Sequence, residues 1–375
     1  MRHHRSSTLW VTSLFLMSLV GCAGDSTKSP SDTVTSSAVV QADEGKDEVQ
    51  ERAVSRMGAA TLKPIVPLSP PASLPGEFII TPALHGGLFT AVDGGGRTVD
   101  AITTVAQAVT PNQKFRIWTA GPSAIQYKYI STLSGYFLMA PGGGGRADSS
   151  AIVADLHQYP YGQYIDMAKF RFVMNAPIGG GAFTIQTSNG DFVTAVGGGQ
   201  RRTDVLHTDA KRASTWESFY VTKCGDLGSG FSYGIRNNGS GSFLSAQGGG
   251  GLTHAAMMAN SGALSDLGRF TLIQQPDGSY ALRTTNGRNF VTAVNGGGLV
   301  QGSTTPDILQ TDRTQAQAWE KFRIVDGGSC NYTIQTVSGY YLATNGPNFS
   351  TDISDPNRAP SVGYNATFNL VMFDL

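Results

Sequence analysis

Charge is scarce in this chain, and neither sign prevails. Only 14% of the 375 residues are charged and 27 Lys and Arg stand against 27 Asp and Glu, so no global field draws nucleic acid or an anionic membrane surface. Cysteine is scarcer still. With three cysteines, scattered His85, His157, His207 and His254, and Asp352 and Asp355 outside any calcium-loop pattern, no metal-ligand spacing is present, and nothing asks for a cofactor. Bilayer-spanning runs are lacking too, because the apolar segment from Leu9 to Val20 falls short of ~20 residues and is broken by Thr12, Ser13 and Ser18.

What is abundant is glycine. Forty-seven residues, about 13%, exceed the usual ~7%, and such an excess suits tight turns between short strands better than helices.

The first 22 residues have the form of an export signal: Arg2, His3, His4 and Arg5, then the apolar segment, then Leu19-Val20-Gly21-Cys22. That ending resembles the lipobox of bacterial lipoproteins, which implies that the signal at 1–22 is cut before Cys22, that Cys22 is lipidated and becomes the mature N-terminus, and a cell-envelope location, at the outer membrane or cell surface. Residues 23–75 are rich in Ser, Thr, Asp, Glu, Lys and Pro with almost no aromatics. They are expected to form a disordered tether, reaching on the order of 40 Å, with room for a short helix at residues 43–57.

From residue 76 onward one stretch recurs. Phe290-Val291-Thr292-Ala293-Val294 followed by Asn295, Gly296, Gly297 and Gly298 has relatives beginning at Phe89, Phe137, Phe192 and Phe243, and a decayed one at Tyr341. The spacing is roughly 50 residues. Each repeat carries an opening strand, this second strand with its glycine run, a short third strand, and a closing strand such as Trp319-Glu320-Lys321-Phe322-Arg323-Ile324 or Trp216-Glu217-Ser218-Phe219-Tyr220-Val221. Four strands in so few residues leave no room for helices, so the class is all-β. Asn189-Gly190 and Asn286-Gly287 mark hairpin turns.

Six such repeats suit either two tandem β-trefoils or one six-bladed β-propeller. The order of opening strand, Phe-x-x-Ala strand, glycine turn and Trp-Glu-x-Phe closing strand resembles the fascin-like trefoil repeat over residues 76–375. Repeats three and five match best; one, two, four and six lack the Trp-Glu pair. The resemblance implies trefoils at 76–223 and 224–375, joined near Lys223 to Gly230. After lipidation of Cys22, Cys224 and Cys330 remain, and an even pair in an exported chain favours a disulfide.

Catalytic signals are weak. Gly230-Phe231-Ser232-Tyr233-Gly234 spells a nucleophile elbow but leads into a strand where a helix is required. The glycine runs open no helix and end in no Gly-Lys-Ser/Thr, so they are turns, not phosphate loops. Asp155, Asp209 and Asp312, with Asn260 at the similar place, follow the third strand of their repeats. In trefoil lectins an acidic loop residue accepts hydrogen bonds from sugar hydroxyls, and here the bland alternative is an aspartate capping its own turn. Arg201, with Arg202, Lys211 and Arg212, adds a basic cluster suited to acidic polysaccharide. Trp216 and Trp319 are expected in the core, with Glu217 and Glu320 at the strand edge. The expectation is a non-catalytic, membrane-anchored protein that binds glycan or surface polysaccharide. The alternatives are a protein-binding scaffold, with actin binding by family analogy only, and thirdly a hydrolase.

Overall fold

The computed structural model describes residues 72–119, 127–160, 164–174, 181–300, 307–357, 365–373 and 375. The expected signal, Cys22, the helix at 43–57 and the tether up to residue 71 lie outside them.

Each repeat forms four strands. Repeat one comprises β1 (Glu77–Pro82), β2 (Leu88–Ala91), β3 (Ile102–Ala106) and β4 (Phe115–Thr119). Repeat two has β5 (Lys128–Thr132), β6 (Phe137–Met139), β7 (Val153–Leu156), a five-residue helix α1 (Tyr164–Ala168) and β8 (Phe170–Met174). Repeat three has β9 (Phe183–Thr187), β10 (Phe192–Ala195), β11 (Leu206–Ala210) and β12 (Ser218–Cys224). The fourth runs through β13 (Ser232–Asn237), β14 (Phe243–Ala246), β15 (Met257–Ser261) and β16 (Arg269–Gln274). The fifth contains β17 (Tyr280–Arg283), β18 (Phe290–Ala293), β19 (Leu309–Arg313) and β20 (Lys321–Asp326). The sixth ends the chain with β21 (Tyr332–Gln335), β22 (Tyr341–Asn345), β23 (Asn348–Ile353) and β24 (Phe368–Met372).

The pairing of these strands decides between the two architectures. First and fourth strands link one repeat to the next, β4 to β5 and β8 to β9, and β12 returns to β1 along the whole length from Glu77 opposite Cys224 to Pro82 opposite Phe219. Strands β1 and β4, β5 and β8, and β9 and β12 pair within their repeats. A six-stranded barrel results. The second ring closes in the same way, β24 lying on β13 from Tyr233 opposite Met372 to Asn237 opposite Phe368. Second and third strands make one hairpin per repeat outside the ring. Two barrels with three hairpins each are two tandem β-trefoils; propeller blades would keep their four strands to themselves. The barrels are filled by the closing-strand phenylalanines Phe115, Phe170, Phe219, Phe270, Phe322 and Phe368, all buried.

The glycine runs tie neighbouring repeats together. Four consecutive residues have positive φ in each run: Asp93 to Gly96, Gly142 to Gly145, Gly197 to Gln200, Gly248 to Gly251 and Asn295 to Gly298. This bend delivers the end of the run to the bulge in the next repeat's hairpin, whose first residue is buried. Gly96 N–H donates to Ala154 O at 2.6 Å, Gly145 to Thr208 O at 2.7 Å, Gly251 to Thr311 O at 2.8 Å and Gly298 to Thr351 O at 2.6 Å. Arg201 N–H completes the first circle by donating to Thr104 Oγ1 at 3.0 Å.

Residues 72–75, expected in the tether, belong to the fold. Leu74 N–H donates to Ile117 O at 2.8 Å and Thr119 N–H to Ala72 O at 3.0 Å, extending the sheet edge at β4. Their prolines hid this. Pro75 O also accepts from the ammonium of Lys223, which is fully buried, donates to Cys224 O at 3.2 Å and lies 4.7 Å from the Phe78 ring centre. Cys224 is bonded to Cys330, with Cα atoms 4.4 Å apart. The bridge joins the end of the first barrel to the last repeat of the second, where Thr222 pairs with Val371 and Tyr332 Oη donates to Gly225 O at 3.0 Å.

Burial pushes the Lys223 ammonium down to about 8, against the pull of Asp226 and Glu77. An unfolded chain holds that proton up to the ordinary lysine range near 10.5, so the unfolded state binds more protons between these values and stability rises with pH there. The rise approaches about 3 kcal/mol, and Lys128, also lowered by burial, adds to it. Above about pH 10 the sign reverses, because burial raises Tyr233 and Tyr332 well above the usual phenol range and only the unfolded state ionises them. Urea midpoints should therefore climb from pH 8 to 10 and fall beyond. Lys223→Met should shrink the climb; a flat profile in the unsubstituted protein would contradict this.

Candidate functional site

The Trp-Glu pairs are arranged opposite to the expectation. Glu217 and Glu320 are buried, 5% and 2% exposed, while Trp216 and Trp319 are 44% and 42% exposed. The cause is the turn that carries them. In the 3-10 turn Thr215–Glu217, Glu217 Oε2 accepts from Ser214 N–H at 2.8 Å and its hydroxyl at 2.6 Å, and Oε1 accepts from Thr194 Oγ1 at 2.8 Å. In Ala318–Glu320, Glu320 accepts from Gln317 N–H and from Thr292 Oγ1, both at 2.8 Å. Each carboxylate thus pins its turn to the second strand of its own repeat, and several hydrogen bonds offset its burial. With the glutamate turned inward, the preceding tryptophan faces out. The signal was in the sequence as a capping box, Ser214 three residues before Glu217. Generic preference placed the indole inside.

The surroundings of the two indoles match. The Trp216 turn packs on the glycine turn Val196–Gly198, and a Cβ on Gly198 would fall 2.8 Å from Leu84 and 2.7 Å from His85, which lie between β1 and β2 of repeat one. Around Gly296 the same construction would place a Cβ 3.4 Å from Trp319, 3.1 Å from Val337 and 2.8 Å from Ser338 Oγ. Leu84 and Val337 are 46% and 53% exposed. Each tryptophan therefore shares a glycine turn with an exposed aliphatic side chain supplied by the neighbouring repeat.

Next to Trp319 this surface opens into a cavity of about 350 Å³, lined by Asp277, Ser279, Lys321, Arg323, Gln335 and Val337 among others. Val337 lines the cavity and also borders Gly296, the glycine that Trp319 borders from repeat five. Lys321 Nζ lies 3.0 Å from Asp277 Oδ2. A hydrogen bond from the Ser279 hydroxyl at 2.5 Å, followed by the one from Lys321, holds the Asp277 carboxyl well below the usual range. Arg323 has no acidic partner among the described residues. The site combines an apolar face with hydrogen-bond donors and the carboxylate of Asp277.

The acidic positions singled out in the sequence lie in strands, not loops. Asp155, Asp209, Asn260 and Asp312 fall within β7, β11, β15 and β19, each beside the register shift with its partner strand. A bulge inserts one extra residue and re-aims the side chain, which a reading of turn residues could not detect. Asp155 and Asp209 are exposed. Asp312 Oδ1 is buried without a hydrogen-bond partner, and its Oδ2 lies 3.9 Å from Arg313 Nε. Asn260 has its side chain outside the description. Asp352 in β23 takes the corresponding place in repeat six, whose decay concealed it. These residues stand on separate repeats and form no common cluster.

Arg201 follows the third glycine run, its Nε donating to Thr203 O at 3.4 Å and its guanidinium 3.6 Å from Asp204. The basic cluster is partly neutralised, since Lys211 also pairs with Asp191 at 2.5 Å. Ser232 opens β13, buried, with its hydroxyl 3.1 Å from that of Thr271. His207 pairs with Asp204 at 2.8 Å and His254 with Asp307 at 3.3 Å. No group of three potential metal ligands occurs among the described residues.

No protein-family model and no curated protein matches the chain. Among solved structures, a mosquitocidal holotoxin overlaps 80% of this chain at 11% identity and a TM-score of 0.33, the chain spanning only 34% of the toxin. The designed threefold-symmetric protein ThreeFoil overlaps 37% of this chain and 97% of its own at 18% identity and a TM-score of 0.31. A non-toxic homologue of type II RIPs from Momordica charantia, solved with α-methyl-D-galactoside, overlaps 79% and 96% at 11% identity and a TM-score of 0.27.

Proposed function

We propose that this protein is a non-catalytic carbohydrate-binding protein, held at the cell envelope by a lipid on Cys22, with two equivalent sites built around Trp216 and Trp319. One observation carries the reading: two indoles exposed at corresponding places, each on a turn pinned by a buried glutamate and flanked by an aliphatic side chain. A single exposed apolar residue needs no explanation. A pair of rigidly presented ones beside polar groups fits a ligand with an apolar face and hydroxyl edges, since an indole offers a broad apolar surface and little conformational entropy to lose. At the Trp319 site Asp277, Lys321 and Gln335 supply hydrogen-bonding partners for hydroxyls. Asp209 and Asp312 lie on the same repeats as the two indoles, Asp209 exposed and Asp312 Oδ1 buried. The envelope location is supported by Leu19-Val20-Gly21-Cys22.

One preparation tests both parts. Cys22→Ser protein should leave the membrane fraction, and retention there would overturn the anchor. Applied to a glycan array, that soluble protein should bind a defined set of neutral glycans. Trp216→Ala combined with Trp319→Ala should cost about 2 kcal/mol or more per site, roughly a 30-fold loss. An array without binding, alongside recovery of one specific protein in a pull-down, would favour the scaffold alternative.

A further inference from the structure

A second cavity, of about 320 Å³, lies between the two trefoils and belongs to neither indole site. Its apolar wall comes from the first trefoil. Ile79, Leu88 and Val109 line it, and the Cys224–Cys330 bridge packs behind them. Its polar wall is shared, with Arg236, Asn331 and Asn369 coming from the second trefoil.

The groups on that polar wall are held in fixed orientations. Arg236 projects from β13 with its guanidinium over the Tyr220 ring, 5.1 Å from the centre, and its Nε donates to Gly241 O at 3.0 Å. This sets the plane of the fork. No acidic side chain pairs with it among the described residues, so a half-buried cation faces the cavity without a counter-charge. Asn331 Oδ1 accepts from Asn238 Nδ2 at 2.8 Å and Asn369 Nδ2 at 3.0 Å, which directs the remaining Asn331 Nδ2 donor elsewhere. Asn369 Nδ2 also donates to Cys330 O at 3.0 Å, which leaves Asn369 Oδ1 as an acceptor.

We infer that this cleft binds a small carboxylate-bearing sugar, of the size and chemistry of one hexuronic acid. Desolvating a cation without a counter-charge is costly, and a ligand carboxylate offsets that cost with a two-pronged, charge-assisted contact that a planar guanidinium is shaped to make. The amide donor and acceptor suit ring hydroxyls, and Ile79, Leu88 and Val109 suit the apolar face of the ring. The volume lies at the small end of ligand pockets, ~300–1,000 Å³, enough for one sugar but not an extended chain. The inference stands on these side chains alone and does not depend on the indole sites.

The test is calorimetric titration of the purified, oxidised protein with D-glucuronate, its methyl ester and D-glucose. D-Glucuronate should bind at least about tenfold more tightly than either neutral compound, a comparison that leaves the protein unaltered. Arg236→Gln should abolish the preference, and Arg236→Lys, which keeps the charge but not the fork, should retain part of it. Equal binding of the three compounds, no binding of any, or an unchanged preference in Arg236→Gln would overturn the inference. Glucuronate binding should survive Trp216→Ala with Trp319→Ala. Its loss there would place the carboxylate at the indole sites, removing this cleft while leaving the carbohydrate reading intact.

Discussion

Gly297→Ala should destabilise the second trefoil by about 2–6 kcal/mol, as read from the urea midpoint. Two costs add. Gly297 has φ 105° and ψ −170°, a region essentially closed to residues with a Cβ, which accounts for about 1–3 kcal/mol. That Cβ would also fall 2.5 Å from Thr336 Oγ1 and 3.1 Å from Thr336 Cβ, on a threonine buried under the run, so overpacking contributes about 1–3 kcal/mol more. Moving the backbone to relieve the clash would break the Gly298 bond to Thr351 and separate repeats five and six. The neighbouring Asn295 is the control. It holds φ 56° in ordinary left-handed geometry, so Asn295→Ala should cost only about 1–2 kcal/mol. A loss below 1 kcal/mol at Gly297 would show that the run is a passive turn.

Removing the disulfide should have an effect of similar size and a different form. Cys224 and Cys330 are 106 residues apart, and closing such a loop stabilises by about 4–5 kcal/mol in the chain-entropy model. The bridge does more than shorten the unfolded chain, because it fastens the last strand of one barrel to the final repeat of the other. With Cys224→Ser and Cys330→Ser together, urea should unfold the protein at lower concentration and in two steps, one per trefoil. A single transition at the original midpoint would contradict the role given to the bridge.

How much of this was legible depended on whether one repeat contained the whole cause. The four strands per repeat and the closing phenylalanines were, because alternation and glycine turns are local; of the second-strand aromatics Phe89, Phe137 and Phe243 are buried, but Phe192, Phe290 and Tyr341 are only half-buried. The choice between trefoils and a propeller came only from the resemblance to the fascin-like repeat, not from any local pattern. Both share the repeat length, and only the return of β12 to β1 and of β24 to β13, across more than a hundred residues, separates them. The odd repeats share one second-strand pattern, as at Phe192-Val193-Thr194-Ala195-Val196, and the even ones another, as at Phe243-Leu244-Ser245-Ala246, which suggests a duplicated pair, yet closure occurs in threes because six strands complete a ring. The same non-locality hid the purpose of the glycine runs. Their freedom of φ was evident; that each run reaches the bulge of the next repeat was not.

At the candidate site the errors have two physical origins. Trp216 and Glu217 were assigned by solubility, whereas the carboxylate had three donors waiting in Ser214 and Thr194, enough to draw it inward and leave the indole outside. Asp155, Asp209 and Asp312 were assigned to loops because aspartate favours turns. A bulge gives an aspartate the same irregular backbone within a strand. The stretch from Phe290 to Gly298 is therefore scaffold, and the surface it supports is completed by Trp319 from its own repeat and Val337 from the next.

The most direct test of that surface is the binding stoichiometry of the best neutral glycan from the array, measured by isothermal titration. Two equivalent sites are expected in the unsubstituted protein, one after either Trp216→Ala or Trp319→Ala, and none after both. An unchanged isotherm in the double variant would contradict the central claim that the exposed indoles bind carbohydrate.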